Sequence, residues 1–294
     1  MPVAHVNGVE IFYQEYGEGT PLVFSHEFAG SWESWLPQIR FFARRYRVIV
    51  SNHRGYPPST VPEDPAAYSE ENLVADLRAL LDTLGIERAH IAGLSMGGAV
   101  ALKFAIAHPD RCLGVVVAGA GSGADNHDQW VASGVETARR YEEEWETTAA
   151  AYARGTARVQ LLRKDPVGWQ EFATQFLAHS PLGSAHTFRG VQLKRRTIYE
   201  VERELQTIQP PILIMVGDED EPCILPALFM KRLIPNAGLV IFPKSGHAIN
   251  LEEPTLFNQF VLDFLTAVEQ GRWLPQQRDT TDSPAPAAEV PAVP

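Results

Sequence analysis

The sequence predicts an α/β fold: a mostly parallel, doubly wound sheet of about eight strands between helical layers, with a helical insertion. Short, almost wholly apolar segments recur at residues 48–50, 90–94 and 115–119, a pattern typical of strands that are covered on both faces. Segments of helical periodicity separate them. The alternation stops at residues 122–209, where helical patterns continue without a convincing strand.

The first half of the chain alternates strands and helices. Asn7-Gly8 lies between two apolar segments and supplies the positive φ angles of a tight hairpin turn. Residues 69–85 predict an amphipathic helix, which Ser69 caps and Gly85 ends. Further strands are predicted at 21–25, 46–52, 89–94 and 112–121, and further helices at 31–45 and 95–109.

The second half divides into an insertion, a return to the sheet and a tail. The insertion is too long for a loop inside a compact domain, so we interpret residues 122–209 as a helical cap on a core of residues 1–121 and 210–274. Strands are predicted at 211–217 and 238–243, and helices at 225–234 and 255–271. Residues 275–294 are rich in proline, alanine and polar residues, which predicts a disordered tail.

Composition narrows the classes of function. The 294 residues carry a formal net charge of −11, which disfavours nucleic acid and anionic membranes as partners. Cys112 and Cys223 are the only cysteines and are expected to be buried thiols in a reducing compartment. We find no signal peptide, membrane span or metal-ligand spacing. We therefore expect a cytoplasmic protein that acts on a small molecule without metal or cofactor; its oligomeric state stays open, a dimer included.

Ser95 lies between two glycines where an apolar strand meets a helix, in the segment Gly-x-Ser-x-Gly formed by Gly93, Ser95 and Gly97. A sharp strand-to-helix turn exposes a serine for nucleophilic attack, and small residues at these two positions let neighbouring backbone pass close by. The helix that follows directs its free N–H groups at the site, and the N–H of Met96 is a natural donor to an oxyanion. The alternative interpretation is a plain tight turn.

The sequence resembles the α/β-hydrolase superfamily over nearly its whole length except the tail. The similarity rests on motifs that follow predicted strands in the expected order: "HEFAGS", "NHRGYPPS", "GLSMGG", "GDEDEP" and "KSGHAINLEEP". The resemblance implies a catalytic triad of Ser95, Asp220 and His247, in which histidine is the general base and aspartate orients it. Asp218 is the alternative for the acid, because the register of the motif is easily misjudged.

The oxyanion loop departs from the family pattern. Most relatives have His-Gly where this chain has His26-Glu27, and the resemblance makes Phe28 the second N–H donor beside Met96 and His26 a structural residue. We consider two interpretations of Glu27: it turns away to pair with an arginine such as Arg54, or it faces the pocket and favours neutral or cationic substrates or positions water.

The resemblance implies a serine hydrolase that cleaves a small apolar carboxylic ester or lactone. Most cap aromatics are expected to be packing, but we take Trp130, Trp145 and Trp169 as candidate substrate contacts. The alternatives are a hydrolase of C–C bonds or a perhydrolase with the same triad, and a ligand-binding module on a hydrolase scaffold.

Overall fold

Eight strands form one sheet in the computed structural model, which describes residues 2–275. They are β1 (Val3–Val6), β2 (Val9–Tyr16), β3 (Thr20–Ser25), β4 (Tyr46–Ser51), β5 (Ala89–Leu94), β6 (Cys112–Ala118), β7 (Ile212–Gly217) and β8 (Ala237–Phe242). Their order is β1-β2-β4-β3-β5-β6-β7-β8. β2 is antiparallel to β1 and β4, and all other neighbours are parallel. The mostly parallel sheet of eight strands is therefore confirmed.

Helices cover both faces of the sheet and fill the connection between β6 and β7. The α-helices of residues 2–275 are α1 (Leu36–Phe42), α2 (Glu70–Thr83), α3 (Met96–Ala107), α4 (His127–Glu143), α5 (Trp145–Ala153), α6 (Val159–Lys164), α7 (Pro166–Leu177), α8 (Pro181–Thr187), α9 (Glu202–Gln206), α10 (Glu221–Leu233), α11 (Ile249–Glu252) and α12 (Pro254–Glu269). Helices α4 to α9 lie within the predicted insertion, residues 122–209. Apart from residue 275, the predicted tail lies outside the described residues.

The central strands are buried on both faces. Every residue of β5 and β7 is buried, and successive side chains enter two separate core clusters: Ile91 and Ile214 lie in one, Ala92 and Leu213 in the other. Side chains of a strand alternate between faces. The apolar runs of the sequence therefore follow from helices packed on both sides of the sheet.

Two local features are explained by backbone chemistry. Asn7 and Gly8 have φ angles of 46° and 78°, as a two-residue hairpin turn of this type requires. Residues 32–35 form a 3₁₀ turn, and α1 begins only at Leu36, whereas the helical spacing predicts one helix over 31–45. Pro37 lacks an N–H and is tolerated in the first turn of an α-helix but not in its interior, so the helix restarts just before it.

Within residues 2–275, no helix is both long and apolar enough to cross a bilayer. Cys112 and Cys223 are both free and buried.

Candidate active site

Ser95 occupies a strained turn between β5 and α3. Its φ and ψ angles are 56° and −113°, a combination that costs a non-glycine residue free energy and persists only where the surroundings enforce it. The N–H of Ser95 donates to the carbonyl of Ala118 at the end of β6 over 2.8 Å. This backbone geometry favours a nucleophile elbow over a plain turn.

The two flanking glycines permit this turn. A Cβ atom on Gly93 would collide with the carbonyl of Gly97, and one on Gly97 would collide with the carbonyl of Ser25 in β3. Strand β3, strand β5 and the start of α3 therefore approach one another closely at Ser95 only because these positions lack side chains.

His247 and Asp220 are brought together at the same edge of the sheet. His247 Nδ1 lies 2.7 Å from Asp220 Oδ2, and both side chains are buried. Because a carboxylate only accepts hydrogen bonds, Nδ1–H donates and Nε2 is left as an acceptor. The imidazole borders Gly119, next to the Ala118 carbonyl that holds Ser95. Asp218 is exposed and accepts a hydrogen bond from the N–H of Ser245, so the structure favours Asp220 as the acid.

The electrostatic environment keeps His247 basic. Burial disfavours the imidazolium, but the charge of Asp220 and its hydrogen bond together outweigh burial and hold the pKa of His247 above its ordinary value of 6.5. A base that takes a proton from serine and returns it to a leaving group requires a pKa near the working pH. The pair has the electrostatics of a general base with its orienting acid.

Glu252 holds the loop that carries His247, a contact that we did not predict. One carboxylate oxygen accepts the N–H of Gly246 over 2.6 Å, and the other accepts the N–H of Ala248 over 3.1 Å. Burial raises the pKa of Glu252, and these two hydrogen bonds oppose that rise. The residues on both sides of the histidine are thus anchored by one side chain, which the sequence presents only as one of two adjacent glutamates.

Replacing Glu252 with Gln should lower kcat about tenfold or more. A glutamine has one acceptor oxygen, so one of the two N–H groups loses its partner, a loss of about 1–2 kcal/mol, and the imidazole is held less firmly. Kinetics on a p-nitrophenyl ester measure the effect, and Glu71→Gln makes the same chemical change at an exposed position on α2. Equal kcat for both variants would refute the anchoring role.

The two predicted oxyanion donors, the N–H groups of Met96 and Phe28, are held by different parts of the fold. Met96 is the first residue of α3, where an N–H has no acceptor within the helix. Phe28 follows Glu27, whose carbonyl accepts from His26 Nδ1 over 2.7 Å and from the N–H of Gly30 over 3.1 Å. Since a trans peptide directs C=O and N–H in opposite directions, these contacts fix the direction of the Phe28 N–H.

The contacts of His26 are those of a structural residue, because both of its ring nitrogens hold neighbouring backbone. Its Nε2 accepts the N–H of His53 over 3.0 Å, so Nδ1 carries the proton that is donated to Glu27. Burial lowers the pKa of His26 to about 4. A neutral ring with both nitrogens engaged holds the oxyanion loop in place.

Glu27 pairs with an arginine of the cap. Its side chain is 1% exposed and forms an ion pair with Arg158, which is fully buried just before α6. Arg54, the partner suggested by sequence, instead binds Asp76 through two hydrogen bonds of 2.7 Å. The guanidinium of Arg158 also lies over the rings of Tyr152 and Phe172, at 5.3 and 4.9 Å.

The three tryptophans proposed as substrate contacts have other neighbours. Trp145 and Trp169 donate their indole N–H groups to the carbonyls of Leu177 and Ala153, and these bonds join cap helices to one another. Trp130 borders a small cavity that is also lined by Lys103 and Arg195. Their role as substrate contacts stays a prediction.

The cap residues that approach the oxyanion loop are a different aromatic set. Phe28 packs against Tyr141 and Phe188 at ring-centroid distances of 5.3 Å, and against Tyr152 and Phe176 at 6.3 and 6.4 Å. Aromatic rings of the cap therefore surround the side chain of Phe28, the residue whose N–H is the predicted oxyanion donor.

One group of side chains in residues 2–275 has the composition of a metal site. The candidate ligand atoms of Asp220, Cys223 and His247 lie within 4.8 Å of one another. A metal ion held there by His247 Nδ1 would break its hydrogen bond to Asp220. The arrangement is therefore better suited to orienting a histidine than to binding a cation.

Known proteins resemble this chain over most of its length. The family described as alpha/beta hydrolase fold matches residues 20–254. The putative carbamate hydrolase RutD of Stutzerimonas stutzeri is 31% identical over 265 residues, 86% of this chain and 96% of that protein. The protein of the same name from Azorhizobium caulinodans is 27% identical over 285 residues, 92% of this chain and 100% of that protein.

A solved structure extends the similarity to three dimensions. The enol-lactonase of Burkholderia xenovorans superposes with a TM-score of 0.80 at 26% identity, over 90% of this chain and 100% of that one. The matched family, the sheet order and the relatives named as hydrolases show that this chain belongs to the α/β-hydrolase family and is a hydrolase.

Proposed function

We propose that the protein hydrolyses a small apolar carboxylic ester or lactone through an acyl-enzyme on Ser95. The observation that carries this proposal is the 2.7 Å hydrogen bond between His247 Nδ1 and Asp220, which leaves Nε2 as an acceptor at the sheet edge that holds the strained Ser95 turn. The enol-lactonase similarity supports a lactone or ester as substrate.

Ser95 Oγ attacks the carbonyl carbon while His247 Nε2 takes the hydroxyl proton. The negative oxygen of the tetrahedral intermediate accepts hydrogen bonds from the N–H groups of Phe28 and Met96. Collapse of the intermediate expels the alkoxide, which receives the proton from His247. Water then attacks the acyl-enzyme, with His247 again as base, and releases the carboxylic acid and Ser95.

The contacts made by the cap support the proposal that the substrate is uncharged and apolar. The aromatic rings around Phe28 offer dispersion contacts to an acyl or alkoxy group. The carboxylate of Glu27 is neutralised by Arg158, so the loop presents no free charge to a substrate. An anionic or cationic substrate would lose its hydration without gaining a partner.

A fluorophosphonate probe tests the nucleophile, and a substrate panel tests the reaction. We expect the probe to label the protein at Ser95, and Ser95→Ala to abolish both labelling and turnover. p-Nitrophenyl acetate and butyrate or a simple γ-lactone should be turned over faster than an aryl carbamate, a β-diketone or peroxide-dependent acyl transfer. An unlabelled protein would favour a binding module, and preferred cleavage of the diketone would favour a C–C hydrolase.

A further inference from the structure

The short cap helix α6, with Arg158 just before it, makes polar contacts with three loops of the proposed site: the oxyanion loop, the loop of Asp220 and the loop of His247. We propose that Arg158, Gln160 and Lys164 are positioning residues that hold these loops in register, so that the active site is complete only with the cap docked. This inference rests on the function proposed above and concerns how the same site is assembled.

The oxyanion loop is held by Arg158. Its Nη2 contacts Glu27 Oε2, and Glu27 directly precedes Phe28, the predicted N–H donor. His26 and Gly30 already hold the carbonyl of Glu27. The ion pair anchors the side chain of the same residue, so both ends of Glu27 are fixed and the peptide that supplies the oxyanion donor has little freedom to rotate.

The loop of the acid is held by Gln160. Its side-chain amide donates to Glu219 Oε2, and Glu219 directly precedes Asp220. The backbone N–H of Glu219 donates to the carbonyl of Ser245 over 2.9 Å. The acid loop is therefore tied to α6 on one side and to the loop of His247 on the other.

The loop of the base is held by Lys164. Its ammonium donates to Ser245 Oγ over 2.9 Å and to Glu253 Oε1 over 2.6 Å. Ser245 lies two residues before His247, and Glu253 follows Glu252, the anchor of the histidine loop. Lys164 thus reaches both ends of the segment that Glu252 folds around the imidazole.

The spacing of these residues along α6 is suited to positioning several loops from one short helix. Gln160 and Lys164 are four residues apart and share a face of α6, while Leu161 is fully buried in the core. The contacts are directional hydrogen bonds and ion pairs, which fix geometry more narrowly than apolar packing does. A displacement of about 1 Å between reacting groups can lower a rate by about a hundredfold, so small shifts of the three loops affect catalysis strongly.

The test removes two of the anchors, the buried Gln160 and the partly exposed Lys164, and leaves the buried ion pair of Arg158 with Glu27 intact. Gln160→Leu/Lys164→Met is compared with the parent, with Lys164→Arg as the conservative variant and with Arg163→Met, an exposed neighbour on α6. The readouts are kcat and KM on p-nitrophenyl acetate, the rate of fluorophosphonate labelling at Ser95, and Tm. Tm separates lost positioning from lost folding.

We expect the double variant to lose about 10- to 100-fold in kcat and in labelling rate, with KM changed less than threefold and Tm within about 4 °C of the parent. Lys164→Arg should keep most of the parental activity, because a guanidinium can donate to the same two acceptors, and Arg163→Met should match the parent. A labelled parent whose double variant reacts at the parental rate would overturn the positioning role alone. Losses that Arg163→Met shares, or that follow Tm, would also overturn it. A parent that the probe does not label would overturn the proposed nucleophile and this inference together.

Discussion

Asp220→Asn is expected to lower kcat/KM by about 10³–10⁴-fold while the protein stays folded. The asparagine amide donates where the carboxylate accepts, so the Nδ1–H of His247 loses its acceptor and the ring loses its preferred tautomer. The imidazolium that forms during proton transfer also loses a buried negative charge. Ester hydrolysis under initial-rate conditions measures the loss.

The pH dependence gives the same variant a second readout. Catalysis needs neutral His247, so the rate of the parent should rise with pH through an apparent pKa above 6.5 and be lost as pH falls below it. In Asp220→Asn the two contributions of Asp220 are gone and burial dominates, so this limb should move to lower pH. Asp218→Asn is the matched control. A fall of less than tenfold for Asp220→Asn, or an equal fall for both variants, would exclude Asp220 as the acid.

Arg158→Met should destabilise the protein by about 3–5 kcal/mol, because it leaves the buried carboxylate of Glu27 without its counter-ion. Burying an unpaired charge costs far more than the net contribution of the pair itself. Glu27 is 1% exposed, so solvent cannot replace the guanidinium unless the cap moves away. The free energy of unfolding, taken from urea titration, measures the change.

The double variant Glu27→Leu/Arg158→Met is the control for this prediction. With both charges removed and volume conserved, most of the lost stability should return, as for other buried ion pairs replaced by apolar residues. Its kcat should nevertheless stay low, because the oxyanion loop has lost its anchor to the cap. A single variant as stable as the parent would mean that the pair is hydrated and contributes little.

The Glu27–Arg158 pair also gives a physical reason for the departure of this oxyanion loop from the usual His-Gly pattern. A glycine at position 27 could not reach the cap. Glu27 places a carboxylate where the core meets α6, and Arg158 neutralises it there. Glu27 therefore gives the loop less backbone freedom than a glycine would, and its side chain ties the loop to the cap.

Much of the fold could be predicted because it depends on local patterns. The apolar runs of β5 and β7, the Asn7-Gly8 turn and the capping of α2 by Ser69, whose side chain accepts the N–H of Asn72 over 3.1 Å, all arise from residues close in sequence. The start of α1 was missed because a 3₁₀ turn and an α-helix share apolar spacing over so short a segment.

For the site, the sequence alone determined that Ser95, a later acid and His247 each follow a strand of one parallel sheet. The carboxyl ends of parallel strands meet at one edge, so chain order was enough to predict that these residues approach one another. The resemblance selected Asp220 and left Asp218 as the alternative, because both lie in one short loop. The structure places the Asp220 carboxylate against the imidazole and the Asp218 carboxylate against the N–H of Ser245.

Only the tertiary structure decided which cap residues contact the loops of the proposed site. Arg158 and Glu27 are 131 residues apart, and nothing in the sequence distinguishes Arg158 from the other arginines of the insertion. The same holds for Gln160 and Lys164. Their partners depend on how the cap docks on the core, and docking is set by the sum of many side-chain contacts between segments far apart in the chain. The sequence could predict which residues meet at one edge of the sheet, because chain order and parallel strands are enough to place them there. Which cap residues cover that edge depends on side-chain packing between segments far apart in the chain.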